Sequence, residues 1–182
     1  MRKRLALVLS VAAATGSLVL AAAPADAGQG VTFDVTAGLL TISQPADKAL
    51  GTAAAGTATL SATLGTVTVT DGRGALAGTW TATVASTNFT TGLASTEETI
   101  LKDSIDYWSG LATSTSGTAV FVPGQPLVVN KQALSVSRTA YSATGVVGVN
   151  QASWVPTVVV NIPAQAVAGT YSGTITHSVT GA

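Results

Sequence analysis

The chain has no cysteine, one histidine and one methionine, and only 9% of its 182 residues are charged. Without cysteine there is no disulfide framework, no thiolate metal site and no thiol nucleophile. A single imidazole cannot build a multi-histidine metal centre. Lysine and arginine number 8, and three of them are Arg2, Lys3 and Arg4. The remainder cannot form the positive face that phosphate recognition demands, so nucleic acid is excluded as a partner. Scarcity of charge does not imply disorder here. Disordered chains combine low hydrophobicity with high net charge, whereas this one is 47% hydrophobic with a formal net charge of zero. What the chain has in abundance is hydroxyl: 29 Thr and 16 Ser. Threonine keeps the β-propensity of a branched side chain while remaining wettable.

The first residues have the pattern of an export leader. Met1-Arg2-Lys3-Arg4 is a basic end, Leu5–Ala25 carries no charge, and Ala25-Asp26-Ala27 fits the small-x-small rule for a signal peptidase. Cleavage is expected after Ala27, with Ala23 as the alternative, leaving residues 28–182 as the mature domain. An uncleaved anchor is the competing reading, since the uncharged run is nominally long enough to span a bilayer. The mature stretch has five bases against seven acids, a net charge of −2. It offers no electrostatic pull toward anionic lipid, and no membrane association is expected once the leader is removed.

Period-two alternation dominates the rest. Val31–Thr36 alternates apolar and polar, and Leu39–Ile42 follows. Leu60, Ala62 and Leu64 share one face of a strand, and Trp80, Ala82 and Val84 share one face of another. Asp71-Gly72-Arg73-Gly74 between them reads as a hairpin turn, because glycine tolerates the positive φ of tight turns. Further strands are expected over Ile100–Trp108, Thr118–Val122, Leu127–Asn130, Leu134–Ser137, Trp154–Ile162 and Tyr171–Val179. Ala49–Thr57, Ala112–Thr118 and Ser142–Asn150 read as loops. In the last strand Thr170, Ser172, Thr174, Thr176 and Ser178 form one face, and Tyr171, Ile175, His177 and Val179 the other. Short strands with Gly and Pro punctuation predict an all-β chain folded as an immunoglobulin-like antiparallel β-sandwich.

Two segments carry a family likeness. The first is Gly78-Thr79-Trp80-Thr81-Ala82-Thr83-Val84 with Asn88-Phe89-Thr90. The second is Val158–Ala164 followed by Ala168–Val179. Together they resemble the WxL-domain proteins of Gram-positive bacteria, and the chain is similar to a divergent member. That resemblance implies a secreted, non-enzymatic β-domain associated non-covalently with peptidoglycan, with one Trp-x-Leu motif in mid-chain and one at the C-terminus. Here Trp80 matches the family Trp and Ala82 takes the Leu position. In the terminal motif His177 replaces Trp and Val179 replaces Leu. The partners it implies are cell-wall peptidoglycan or another glycan, together with other exported surface proteins.

Four residues are candidate ligand contacts: Trp80, Asp106, Trp108 and His177. If Ile100–Trp108 is one regular strand, Trp108 and Asp106 share its polar face. A ring that stacks on sugar C–H groups beside a carboxylate that takes hydroxyls is a glycan-binding arrangement. The competing reading covers Trp108 with the Ala112–Thr118 loop. His177 has the parity of the apolar face, which makes it either a pH-responsive contact or a ring filling a core site. Trp80 and Trp154 align with apolar neighbours and read as core. Asp103 and Asp106, near Glu97 and Glu98, have opposite strand parity and read as a solvated surface. The chain contains no Gly-x-Ser-x-Gly elbow, phosphate-cradling Gly-x-x-x-x-Gly-Lys loop or His-Glu-x-x-His pair. The expectation is therefore no enzyme and no cofactor. The alternative to a wall-associated protein is a carbohydrate-binding or adhesive module, or a structural subunit of an exported complex.

Overall fold

A computed structural model describes residues 30–182. The expected leader, Met1–Ala27, lies outside the described residues. The chain divides into Met1–Asp34 and Val35–Ala182. The described part of the first unit, residues 30–34, is exposed and carries no strand.

The second unit is all-β, an antiparallel sandwich, as the alternation predicts. Its strands are β1 (Leu40–Ser43), β2 (Thr59–Thr63), β3 (Val67–Ser86), β4 (Phe89–Thr90), β5 (Thr99–Ile100), β6 (Ile105–Trp108), β7 (Ala112–Pro123), β8 (Gln132–Ala133), β9 (Arg138–Trp154), β10 (Thr157–Asn161) and β11 (Ile175–Gly181). One sheet has the order β1-β3-β9-β7, with β11 also pairing β3. A second has the order β2-β10-β6-β8, and β4 pairs β5. The first two sheets are continuous along the chain. Thr63 lies opposite Thr157 and Val67 opposite Trp154. On the other side of this line, Trp108 lies opposite Thr157 and Ala112 opposite Trp154.

This ribbon folds back on itself. Tyr141 and Trp154 are thirteen residues apart on β9, about 43 Å in an extended strand. Their rings nevertheless stack with centroids 4.8 Å apart. The corner falls where the register slips, between Asp71 and Trp80 on β3 and between Ser116 and Val120 on β7. Gly74, Gly117, Gly145 and Gly148 all have positive φ there. Bulges of this kind let a strand pass from one layer to the other. Asp71-Gly72-Arg73-Gly74 is therefore a corner inside β3 and not a hairpin turn. Ser142–Asn150 and Ala112–Thr118 are the matching corners of β9 and β7, not loops.

An ion pair locks the corner. The buried Asp71 carboxylate accepts from Arg73 Nε and Nη2, each at 2.9 Å, and Arg73 Nη2 also donates to Thr79 O. The Arg73 guanidinium holds the Asp71 carboxyl below its usual range, against the effect of burial. Gly148 has φ +69° and open space where a Cβ would stand. Gly148→Ala therefore meets only the left-handed backbone penalty, about 1 kcal/mol. The expected result is a thermal midpoint lowered by about 2–4 °C; an unchanged midpoint would mean that the corner does not require this backbone conformation.

Several other expectations are corrected. Val31–Thr36 forms no strand and is exposed throughout. Ile100–Trp108 is not one strand, because a 3-10 turn at Lys102–Ser104 separates β5 from β6. Asp103 sits in that turn, so strand parity does not relate it to Asp106. Leu127–Asn130 contains a 3-10 turn over Val128–Asn130, and Leu134–Ser137 forms no strand. The Ala49–Thr57 loop and the inward faces of Leu60/Ala62/Leu64 and Trp80/Ala82/Val84 are as expected. The core between the layers contains Trp80, Tyr107, Tyr141 and Trp154, each nearly or fully buried.

Candidate functional site

A groove of about 910 Å³ opens on one side of the sandwich. It lies between the inner face of β11, with Ile175 and His177, and Leu60 of β2. Phe89, Ile100 and Val160 add apolar wall, while the strap Gln44–Gly56 and the segment Pro163–Thr174 form its rims. Period-two alternation creates this geometry: Thr174, Thr176 and Ser178 face water, and Ile175, His177 and Val179 turn inward.

His177 is only 7% exposed. Its Nδ1 lies 2.7 Å from Gln44 Oε1 and its Nε2 3.0 Å from the Tyr107 hydroxyl. Trp154 Nε1–H donates to that same hydroxyl at 3.4 Å. The network assigns the protons. Gln44 Oε1 can only accept, so His177 Nδ1 carries the proton, Nε2 is the acceptor and the Tyr107 O–H donates to it. Burial lowers the imidazole to about 4 and raises the Tyr107 phenol, so both are neutral near pH 7. The ring's two partners are an amide and a phenol, so His177 has neither the carboxylate nor the serine that a triad requires. It fills a core position at the floor of the groove.

Trp80 is 1% exposed, donates Nε1–H to Asn150 Oδ1 at 3.0 Å and packs on Phe121. The structure brings the two likeness-bearing segments together. Trp80 lies opposite Gly181, Ala82 opposite Val179 and Val84 opposite His177 on adjacent strands. Trp108 and Asp106 sit elsewhere, on the outward face of β6, each half-buried. Trp108 is thus not freely exposed, and Ala112–Thr118, expected as a loop, is strand. The Asp106 carboxylate is engaged by Lys131 Nζ and by Asn161 Nδ2, so those groups compete with any sugar hydroxyl for it. Glu98 is spent on a turn, accepting from the Leu93 and Ser95 N–H groups. Among the described residues no three His, Asp or Glu side chains converge as a metal site would need.

Sequence reasoning missed Gln44 and the Tyr107 hydroxyl. Gln44 is 133 residues from His177, and no local pattern marks such a pair. The only local signal is Pro45, which favours an extended backbone at Gln44. Among the described residues no helix is long and apolar enough to cross a membrane. Comparison with protein-family models, with curated proteins and with solved structures gives no match.

Proposed function

We propose that this chain is an exported, non-enzymatic surface domain that associates non-covalently with cell-wall peptidoglycan. The observation that carries the reading is the register of β3 and β11. Two segments about a hundred residues apart in sequence, both resembling the WxL pattern, lie side by side with Trp80, Ala82, His177 and Val179 all turned inward. The leader pattern of Met1–Ala27 and the hydroxyl-rich outer faces support the extracellular address. On this reading Trp80 and His177 act by shaping the sheet, and the contact surface is polar and nearly uncharged. Trp108, beside Asp106 on the outer face of β6, is the residue best placed to meet a sugar ring.

The test is co-sedimentation of the leaderless chain with purified peptidoglycan. Retention in the pellet is expected, and with little dependence on salt, because few charges are available to be screened. Trp108→Ala is expected to weaken retention while the variant stays folded by circular dichroism at the assay temperature. A chain that stays in the supernatant at every wall concentration would end this reading.

A further inference from the structure

Among the described residues, the groove is bordered by main-chain groups that no strand pairs. β2 is the outer strand of its sheet. Its even-numbered residues face β10, as shown by Ile162 N–H bonding Ala58 O at 2.8 Å and Leu64 N–H bonding Pro156 O at 2.9 Å. In an antiparallel ladder the alternate residues then point outward, so Thr59, Ser61 and Thr63 present free N–H and C=O groups. Across the groove, Thr174 and Ala182 bond β3, which turns the main-chain groups of Ile175 and His177 toward the open side. There a side chain takes the place of a strand: the Gln44 carboxamide donates to Ile175 O and accepts from His177 N–H, each at 3.3 Å. The strap that follows is held lightly. Leu50 alone of residues 45–57 is partly buried, and the bond from Thr57 N–H to Ala54 O is internal to it.

The same chain carries a segment with the complementary deficiency. Val31–Thr36 alternates apolar and polar as a strand with one buried face does. Yet Val31, Phe33 and Val35 are 85%, 88% and 85% exposed. Exposed apolar groups in such a pattern mark an interaction surface. Six extended residues span about 20 Å, which matches the five residues of β2.

We propose that Val31–Thr36 of one copy adds as a strand to the free edge of β2 in a second copy, with Val31, Phe33 and Val35 entering the side groove against Leu60 and Ile175. Main-chain bonds to Thr59, Ser61 and Thr63 supply affinity, and the three apolar side chains set the register. A second copy is the occupant because the segment joins its own domain at Gly38. That residue is tied to Gly72 at the corner end of β1, whereas the groove lies past Gln44 at the other end. The contact joins two different surfaces, so mutual exchange of the segment closes a pair, and one-way addition builds rings or open chains.

Sedimentation equilibrium of the leaderless chain from micromolar to millimolar concentration tests this. The expected result is a mass that rises with concentration from the monomer to the dimer or beyond. Phe33→Asp is expected to stay monomeric with an unchanged melting temperature, since Phe33 contributes no buried surface to the monomer. A synthetic peptide spanning Gly30–Gly38 should bind the Phe33→Asp chain one to one. It should lose that binding at least tenfold when Ser61→Pro is added, because proline there removes an outward N–H and leaves the β10 ladder intact. A monomer at all concentrations, assembly that persists in Phe33→Asp, or a peptide that does not bind would each overturn the proposal.

Discussion

Replacing Trp154 with alanine is expected to lower the free energy of unfolding by about 3–5 kcal/mol. Trp154 is fully buried at the end of β9, beyond the corner and opposite Val67. Its ring stacks on Tyr141 at 4.8 Å and meets His177 edge-on at 6.4 Å, and its Nε1–H reaches the Tyr107 hydroxyl. One truncation removes contacts to both layers and leaves a cavity lined by three rings that strand pairing prevents from collapsing. A domain of this kind has only about 5–15 kcal/mol to lose, so the variant approaches the unfolding threshold. Trp154→Phe keeps most of the apolar area and should cost much less, about 1–2 kcal/mol. Urea unfolding followed by fluorescence and circular dichroism measures both. The midpoint should fall with an unchanged slope. A loss below about 1 kcal/mol for the alanine variant would mean that the two layers do not depend on this contact.

That cluster also shows what could be read from the sequence. The inward sets Trp80/Ala82/Val84 and Leu60/Ala62/Leu64 follow from period two alone, because each run keeps one inward face between corners. The same rule places His177 inward and Thr176 and Ser178 outward. The ribbon's turns were not legible. Asp71-Gly72-Arg73-Gly74 and the glycines of Ser142–Asn150 carry the local signals of chain reversal, and a bulged corner uses the same positive-φ glycines. What separates the two outcomes is non-local: β3 continues to pair with β9 on both sides of the corner, and the buried Asp71 finds Arg73 within its own bulge. Ile100–Trp108 was legible only from Ile105 onward, since the 3-10 turn at Lys102–Ser104 breaks the run and resets its parity. At the candidate site the inward imidazole was readable, whereas its partners were not. Gln44, just past the end of β1, and Tyr107, on β6, are far from His177 in sequence, and neither is distinguished from its neighbours by residue type.

The second large effect is a loss of stability in mild acid, traced to His177. Its folded-state pKa is lowered to about 4, against about 6.5 for an unfolded histidine. Above pH 6.5 both states hold a neutral ring, so His177 contributes no pH dependence. As the pH falls below 6.5 the unfolded state takes up a proton that the folded state refuses. Stability therefore drops, levelling off near pH 4 after a total loss of about 3 kcal/mol. The groups facing the ring are Gln44, Tyr107 and Trp154, and none of them titrates in that window. Asp71 and Glu98 have lowered values, from 3.8 and 4.5, so their stabilisation is lost only below those values. The interval from pH 6.5 to 4.5 thus belongs to His177. The structural reason is burial: a charged ring would be desolvated among Gln44, Tyr107 and Trp154, none of which offers a counter-charge. Relief requires the ring to leave, and that frees Gln44 and the strap over the groove. Urea midpoints measured from pH 8 to 4.5 should fall for the parent chain and stay nearly level for His177→Gln, which keeps an uncharged polar group at the same place. A slope that survives the substitution would move the acid sensitivity to another group and leave the strap's anchor indifferent to pH.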